Sequence, residues 1–355
     1  MTETILDLAE FEVWLAEFRD QHRAGGPGSG RFARTPRGQI DALSCADFAV
    51  IDYTVGPWPL SGSERDARVG ILQGFQEVPR GLFVEGDTQL GKPGKVEGGS
   101  GDDRQVPTGA SVGSGRAGVA VRDSFCRTGY FVAALELLGA RPLHPIRAMD
   151  ELRTPAGIDG FLDEIDWSSP GIGLCRAAAV ASCFAITGDV GPEWFERFFD
   201  RLAREAGARK MRKRRGRTHP AELGAALGLM TIYERMRAPL PRPDDVVRMA
   251  LGRQGSDGLY DPSGPGWLDF AAAFVLERGL RQTGKRRKRV LAACGKLLRA
   301  SAKFLLAPGP REVFADDPHR AAGAVSLLAV LAEALPGAIR SRRPLRLFTG
   351  RHLFV

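Results

Sequence analysis

The stretch "DSFCRTGYFVAALELLG", Asp123–Gly139, decides the fold. It opens with polar residues at Cys126, Arg127 and Thr128. It then becomes a helix of small and apolar residues with no face left for water. A helix that is apolar all round is buried on all sides. The polar start therefore needs an explanation of its own.

Similar stretches recur along the chain. They are "CADFAVIDYTVG" from Cys45, "CRAAAVASCFAITG" from Cys175, "HPAELGAALGLMTIYERM" from His219, "WLDFAAAFVLERGL" from Trp267 and "HRAAGAVSLLAVLAEALP" from His319. With the stretch from Cys126 included, successive starts are 81, 49, 44, 48 and 52 residues apart. The long interval holds residues 86–122, rich in Gly, Ser and Asp and almost free of large apolar side chains. Such a segment cannot offset its ordering entropy, so it is expected to be a disordered insertion. Discounting roughly 30 residues as loop restores the period, because insertions in repeat proteins map to loops.

Between these helices the sequence predicts amphipathic ones at 6–23, 63–76, around 147–165, 192–206, 243–253 and 286–305. Trp194, Phe195, Phe198, Phe199 and Leu202 fall on one face of the fourth. Pro192 and Pro243 sit at helix starts, and Gly188 and Gly279 at helix ends. Alternating buried and amphipathic helices, six of each, describe an all-α chain. The expectation is one domain over 1–355, an (α/α)6 toroid with an inner and an outer layer. The rival is an α-solenoid of stacked helix pairs.

"QEVPRGLF" (Gln76, Gly81, Phe83) and "QGSDGLY" (Gln254, Gly258, Tyr260) each link an amphipathic helix to the next apolar one. Both resemble the Gln…Gly…aromatic motif of the terpenoid-cyclase and protein-prenyltransferase toroid superfamily. There the Gln caps a helix end and the aromatic ring stacks beneath it. "GYFVAALELLGARP" and "RPLRLFTGRHLFV" also look like pieces of uncharacterised bacterial relatives. The resemblance covers most of the chain and implies a central cavity for an isoprenoid-like or other anionic small molecule, with transferase or cyclase chemistry. The specific motifs are missing. There is no DxDD, since "DEIDW" (Asp163, Asp166) has the wrong spacing, and "DDPHR" from Asp316 departs from DDxxD at its last position. The Cys-His-Gly tripeptide of lanthionine-cyclase toroids is absent too.

Aligned on their starts, the six apolar helices put Cys45, Cys126, Cys175, His219, Trp267 and His319 at one level. Arg127, Arg176 and Arg320 follow three of them, and Asp47, Thr128, Glu222 and Asp269 stand just inside the helices. In a toroid this level lines one mouth of the cavity. Three readings compete for it. Asp47, Asp269, His219 and His319 are the proton-transfer candidates, with Arg127, Arg176 and Arg320 holding an anionic head beside positive helix N-termini. Cys45, Cys126 and Cys175, with imidazoles, would suit zinc, provided that they converge to about 2 Å from one ion. The plain alternative is packing at a helix-entry layer, with each Arg paired to a nearby carboxylate.

Asp261 and Asp269 flank Trp267 as an acid beside an aromatic wall, or as turn caps. A glycan-processing enzyme would need facing carboxylates among Asp47, Glu222 and Asp269, about 5–10 Å apart. A binding or scaffold protein would need none.

The net charge of +8 favours anionic partners without choosing among them. The basic runs Arg209–Arg217 and Lys285–Arg289 lack interleaved aromatics. Nucleic acid is therefore not expected, and contact with an anionic membrane surface is the most these runs suggest. No stretch reaches about 18 uninterrupted apolar residues, so no membrane span is expected. Five cysteines without a CxxC pair read as reduced thiols, and the expected location is the cytoplasm.

Overall fold

The computed structural model describes residues 6–26, 28–56, 59–84, 116–167, 170–208 and 221–348. It is predominantly helical. The small-residue stretches form α2 (Ala42–Val55), α4 (Arg116–Leu137), α6 (Gly171–Thr187), α8 (Ala221–Arg235), α10 (Trp267–Thr283) and α13 (Pro318–Ala334). The amphipathic stretches form α1 (Ala9–His22), α3 (Gly62–Gly74), α5 (Pro155–Asp163), α7 (Pro192–Ala208), α9 (Pro243–Leu251) and α11 (Arg287–Leu306). A short α12 (Pro308–Arg311) precedes α13. The expected helix around 147–165 divides into a 3-10 turn, Arg147–Arg153, and α5, because Thr154 breaks the run and caps the second piece.

Local chemistry sets the ends. The Asp41 carboxylate accepts the Ser44 N–H at the start of α2, and Asp317 accepts the Arg320 N–H at the start of α13, each filling an orphan donor of a first turn. Gly188 and Gly284 end α6 and α10 in the left-handed conformation. Most of the insertion expected over 86–122 lies outside the described residues, but α4 already begins at Arg116.

α2 packs on α4, α4 on α6, α6 on α8, α8 on α10, α10 on α13, and α13 on α2. The six run in the same sense. At their C-terminal ends Arg235 of α8 holds Glu136 of α4 at 2.8 Å and the Ala185 carbonyl of α6 at 3.1 Å. Ala177–Ala181 and Ala271–Ala273 are fully buried, and their small side chains let neighbouring helices approach closely. Outside them, α7 lays Trp194 edge-on to Phe184 of α6 and Phe199 against Tyr233 of α8. α1 sets Phe18 against Phe48 of α2 and packs on α11. Strands β1 (Leu6–Asp7) and β2 (Ile339–Arg340) pair in parallel, a contact that the sequence does not announce.

The two Gln…Gly…aromatic corners share one hydrogen-bond device. Gln76 Nε2 donates to the Gly81 carbonyl at 2.8 Å and to the His144 carbonyl at 2.7 Å. Gln254 Nε2 donates to the Gly258 and Ala293 carbonyls, both at 2.9 Å. Gly81 (φ +70°) and Gly258 (φ +105°) occupy backbone that a side chain would strain, and a Cβ on Gly81 would collide with the Pro145 carbonyl.

Candidate functional site

Where the N-terminal halves of α2, α10 and α13 meet the C-terminal half of α4, Asp47 is the centre of a polar cluster. Its Oδ1 accepts the Tyr130 hydroxyl at 2.5 Å and faces His319 Nδ1 at 2.9 Å. Trp267 closes the cluster, with its ring centroid 5.3 Å from that of His319 and 5.9 Å from that of Tyr130. Asp47, Tyr130 and Trp267 are buried, whereas the His319 side chain keeps 25% of its surface exposed. His319 is thus the cluster's outlet to solvent.

The electrostatics follow from this geometry. Burial raises the Asp47 carboxyl above its ordinary range, opposed by His319 and Tyr130. Burial alone would lower His319, but the Asp47 charge and the hydrogen bond to it raise it on balance. Burial and the adjacent carboxylate push the Tyr130 phenol far up, so it stays a donor. Asp47 Oδ2 and Trp267 Nε1 are both buried without a hydrogen-bond partner. One buried acceptor and one buried donor are therefore unsatisfied in the same cluster, an arrangement that carries a free-energy cost unless another molecule supplies the bonds.

Of the expected site residues, Asp47, His319 and Trp267 lie together. Tyr130 joins them unforeseen. It sits in an apolar run, and nothing in its spacing marks it.

Asp269 does other work. Its Oδ1 accepts the Tyr260 N–H at 2.7 Å and its Oδ2 the Gly266 N–H at 3.3 Å. It thereby ties the second corner to the start of α10, and burial pushes its carboxyl up to about 7 despite these N–H groups. Thr128 does the same for the first corner, accepting the Phe83 N–H at 3.3 Å. Cys45 serves a third, since its Sγ accepts the Phe32 N–H at 3.4 Å. The helices therefore align on Cys45, Thr128 and Asp269, so that Asp47 matches Tyr130. An alignment on helix starts is two residues out at α2. Asp269 is a corner residue, and its assignment to proton transfer is corrected accordingly.

Two further assignments change. Arg320 donates to the Gly264 carbonyl at 3.0 Å and pairs with Asp261 at 3.3 Å and Asp317 at 3.7 Å, so it braces the loop before α10 and its charge is already matched by carboxylates. Cys45 also donates its S–H to the Phe32 carbonyl at 3.6 Å, and burial pushes the thiol up to about 12, so it serves the corner as a neutral thiol. Among the described residues no three His, Cys, Asp or Glu side chains gather closely enough for a metal ion. Cys126 and Cys175 do lie near each other. Burial raises the Cys175 thiol, Cys126 adds to the rise and Arg176 opposes it.

Arg127 and Arg176 are half-buried on α4 and α6, and both make interactions there. Glu222 lies 4.0 Å from Arg253. His219 and the basic run Arg209–Arg217 lie outside the described residues, while Arg286 of the second basic run pairs with Asp244 at 2.8 Å. No helix among the described residues is long and apolar enough to cross a membrane. Comparison of the chain with protein families, with curated proteins and with solved structures gives no match.

Proposed function

We propose that the chain is an (α/α)6 toroid whose N-terminal mouth binds a small molecule with an apolar body and an anionic head. The class of ligand is isoprenoid-like, as in prenyltransferases and terpenoid cyclases, and the Asp47–His319 pair moves a proton. The return of α13 onto α2 supports the toroid over an open solenoid. One observation carries the site: a buried carboxylate oxygen, Asp47 Oδ2, left without a partner beside a solvent-connected imidazole and two aromatic rings.

The chemistry follows from those parts. A carboxyl kept from water and coupled to an imidazole can exchange a proton at moderate pH. The faces of Trp267 and Tyr130 favour positive charge in a neighbouring carbon skeleton. Arg127 and Arg176, with the N-terminus of α6, suit the anionic head. Glycan chemistry is less well served, because Asp269 is committed to backbone N–H groups and only Asp47 of the three candidate carboxylates belongs to the cluster. A non-catalytic scaffold is favoured by one fact, the contact between Tyr130 and Trp267, which packs that level closely.

The test is titration with farnesyl diphosphate and with farnesol, followed by tryptophan fluorescence. The expected result is saturable quenching that Trp267→Phe removes, tighter for the diphosphate and weakened by Arg127→Gln with Arg176→Gln. Asp47→Asn should leave binding within about threefold while abolishing any turnover. Failure of both compounds to bind would favour the scaffold.

A further inference from the structure

The opposite end of the helix set holds a second group of features, independent of the Asp47 cluster. We propose that the cleft between the C-terminal ends of α8 and α10 is a binding site for a small organic ammonium ion with an apolar tail.

The cleft has a volume of about 310 Å³ and is lined by Met230, Tyr233, Glu234, Ala238 and Leu240 from α8 and its following turn, facing Arg278 and Arg281 on α10. Met230, Ala238 and Leu240 supply an apolar wall. The volume lies at the lower end of the range for small-molecule pockets.

Charge accounts for the preference. Arg278 contacts Glu234 at 3.1 Å, Glu333 at 2.8 Å, and Glu277; Arg281 contacts Glu333 at 2.9 Å, and Glu277. Three carboxylates thus share two guanidiniums, a local acidic excess on a chain of net charge +8. The C-terminal ends of α8 and α10 add the negative ends of two helix dipoles. Both Arg side chains are already bridged by carboxylates, so they present little free positive charge to an incoming cation.

Two polar atoms mark where the ligand's charge would sit. Glu234 Oε2 is buried without a hydrogen-bond partner. So is the hydroxyl of Tyr233, a residue only 4% exposed. Burial pushes the Glu234 carboxyl up; Arg278 opposes this, and Glu277 and Glu333 add to it. An ammonium group in the cleft beside Glu234 Oε2 would satisfy that acceptor and restore the charge balance. An anion would meet unmatched carboxylate, and a neutral alcohol would supply one donor and no charge.

Calorimetric titration with hexylammonium chloride, 1-hexanol and sodium hexanoate at constant ionic strength tests this. The expected result is saturable binding of hexylammonium at one per chain, hexanol at least tenfold weaker, and no binding of hexanoate. Glu234→Gln should weaken hexylammonium at least tenfold, and Ala238→Trp, which fills the cleft without altering charge, should abolish binding. Equal binding of all three compounds, no saturation by hexylammonium, or unchanged affinity in either folded variant would overturn the proposal. The comparison on the wild-type chain decides the matter even if a variant fails to fold.

Discussion

Tyr130 of α4 and Trp267 of α10 meet edge to face, 5.9 Å between ring centroids, although α6 and α8 separate their helices one way round and α2 and α13 the other. Two helices that are not neighbours in the packing succession are thus joined through their side chains. At that level the two rings also contact the His319 imidazole, which faces Asp47.

Replacing Trp267 with Ala should therefore remove its ring contacts with Tyr130, Phe270 and His319. Truncating a buried aromatic to Ala typically costs about 3–5 kcal/mol, and a loss of that size is expected in urea denaturation. A loss below about 1 kcal/mol would mean that the two rings are not packed in solution.

Stability should fall as pH rises through the neutral range. The folded protein holds the His319 proton more tightly than the ordinary value of 6.5 implies, so the pair's contribution is complete below that pH and is lost as pH climbs through the raised value. The buried Asp47 has the same sign, since its carboxyl is also raised. Asp269 titrates in the same region, so the informative quantity is the difference in melting temperature between wild type and His319→Gln across pH 5 to 9. That difference should shrink as the pH rises. A constant difference would show that the Asp47–His319 pair does not titrate in this range.

The corner residues make a prediction of the opposite kind, a loss of stability without a loss of binding. Asp269→Ala and Thr128→Val each orphan a buried N–H, of Tyr260 and Phe83 respectively, which costs about 1–3 kcal/mol. Gly258→Ala should cost at least as much, because φ of +105° is hostile to a side chain and its Cβ would press on Lys296. If Asp269→Ala instead abolished farnesyl diphosphate binding at unchanged stability, the proton-transfer assignment would return to it.

Thiol modification should order the cysteines by exposure. Cys126 is half-buried, whereas Cys45, Cys175, Cys183 and Cys294 are buried. Under native conditions a disulfide reagent should modify Cys126 first, at least tenfold faster than the other four, which should react at the rate of unfolding. Five equal rates would contradict the described packing.

Much of the architecture is legible in the sequence because burial leaves a compositional trace. α10 starts at Trp267 as expected, and α7 and α9 start at Pro192 and Pro243. The all-round apolar character of α6 and the aromatic stripe of α7 each state how many sides must be covered. The site is legible only in part. Asp47 and His319 stand out as polar residues at the doorsteps of apolar helices. Tyr130 is hidden because a tyrosine in an apolar run reads as core, and its partner lies 83 residues away. The register error at α2 has a physical origin as well: Cys45 and Cys126 look equivalent by composition, but the repeat is defined by which side chain receives a corner N–H. Aligning Phe32, Phe83 and Tyr260 first places Asp47 level with Tyr130. The β1–β2 pair is too short to leave a pattern.

The packing of α13 on α2 has a consequence for how the chain matures. Asp47 and His319 are 272 residues apart, and Leu6 pairs with Ile339 across a still longer span. During synthesis α2 must wait with an apolar flank uncovered until nearly the whole polypeptide has left the ribosome. Because α13 packs on α2, one flank of an early helix is covered only by one of the last to be made. Assembly should accordingly be late, slow and concerted, and the chain a natural client of holding chaperones while it is being made.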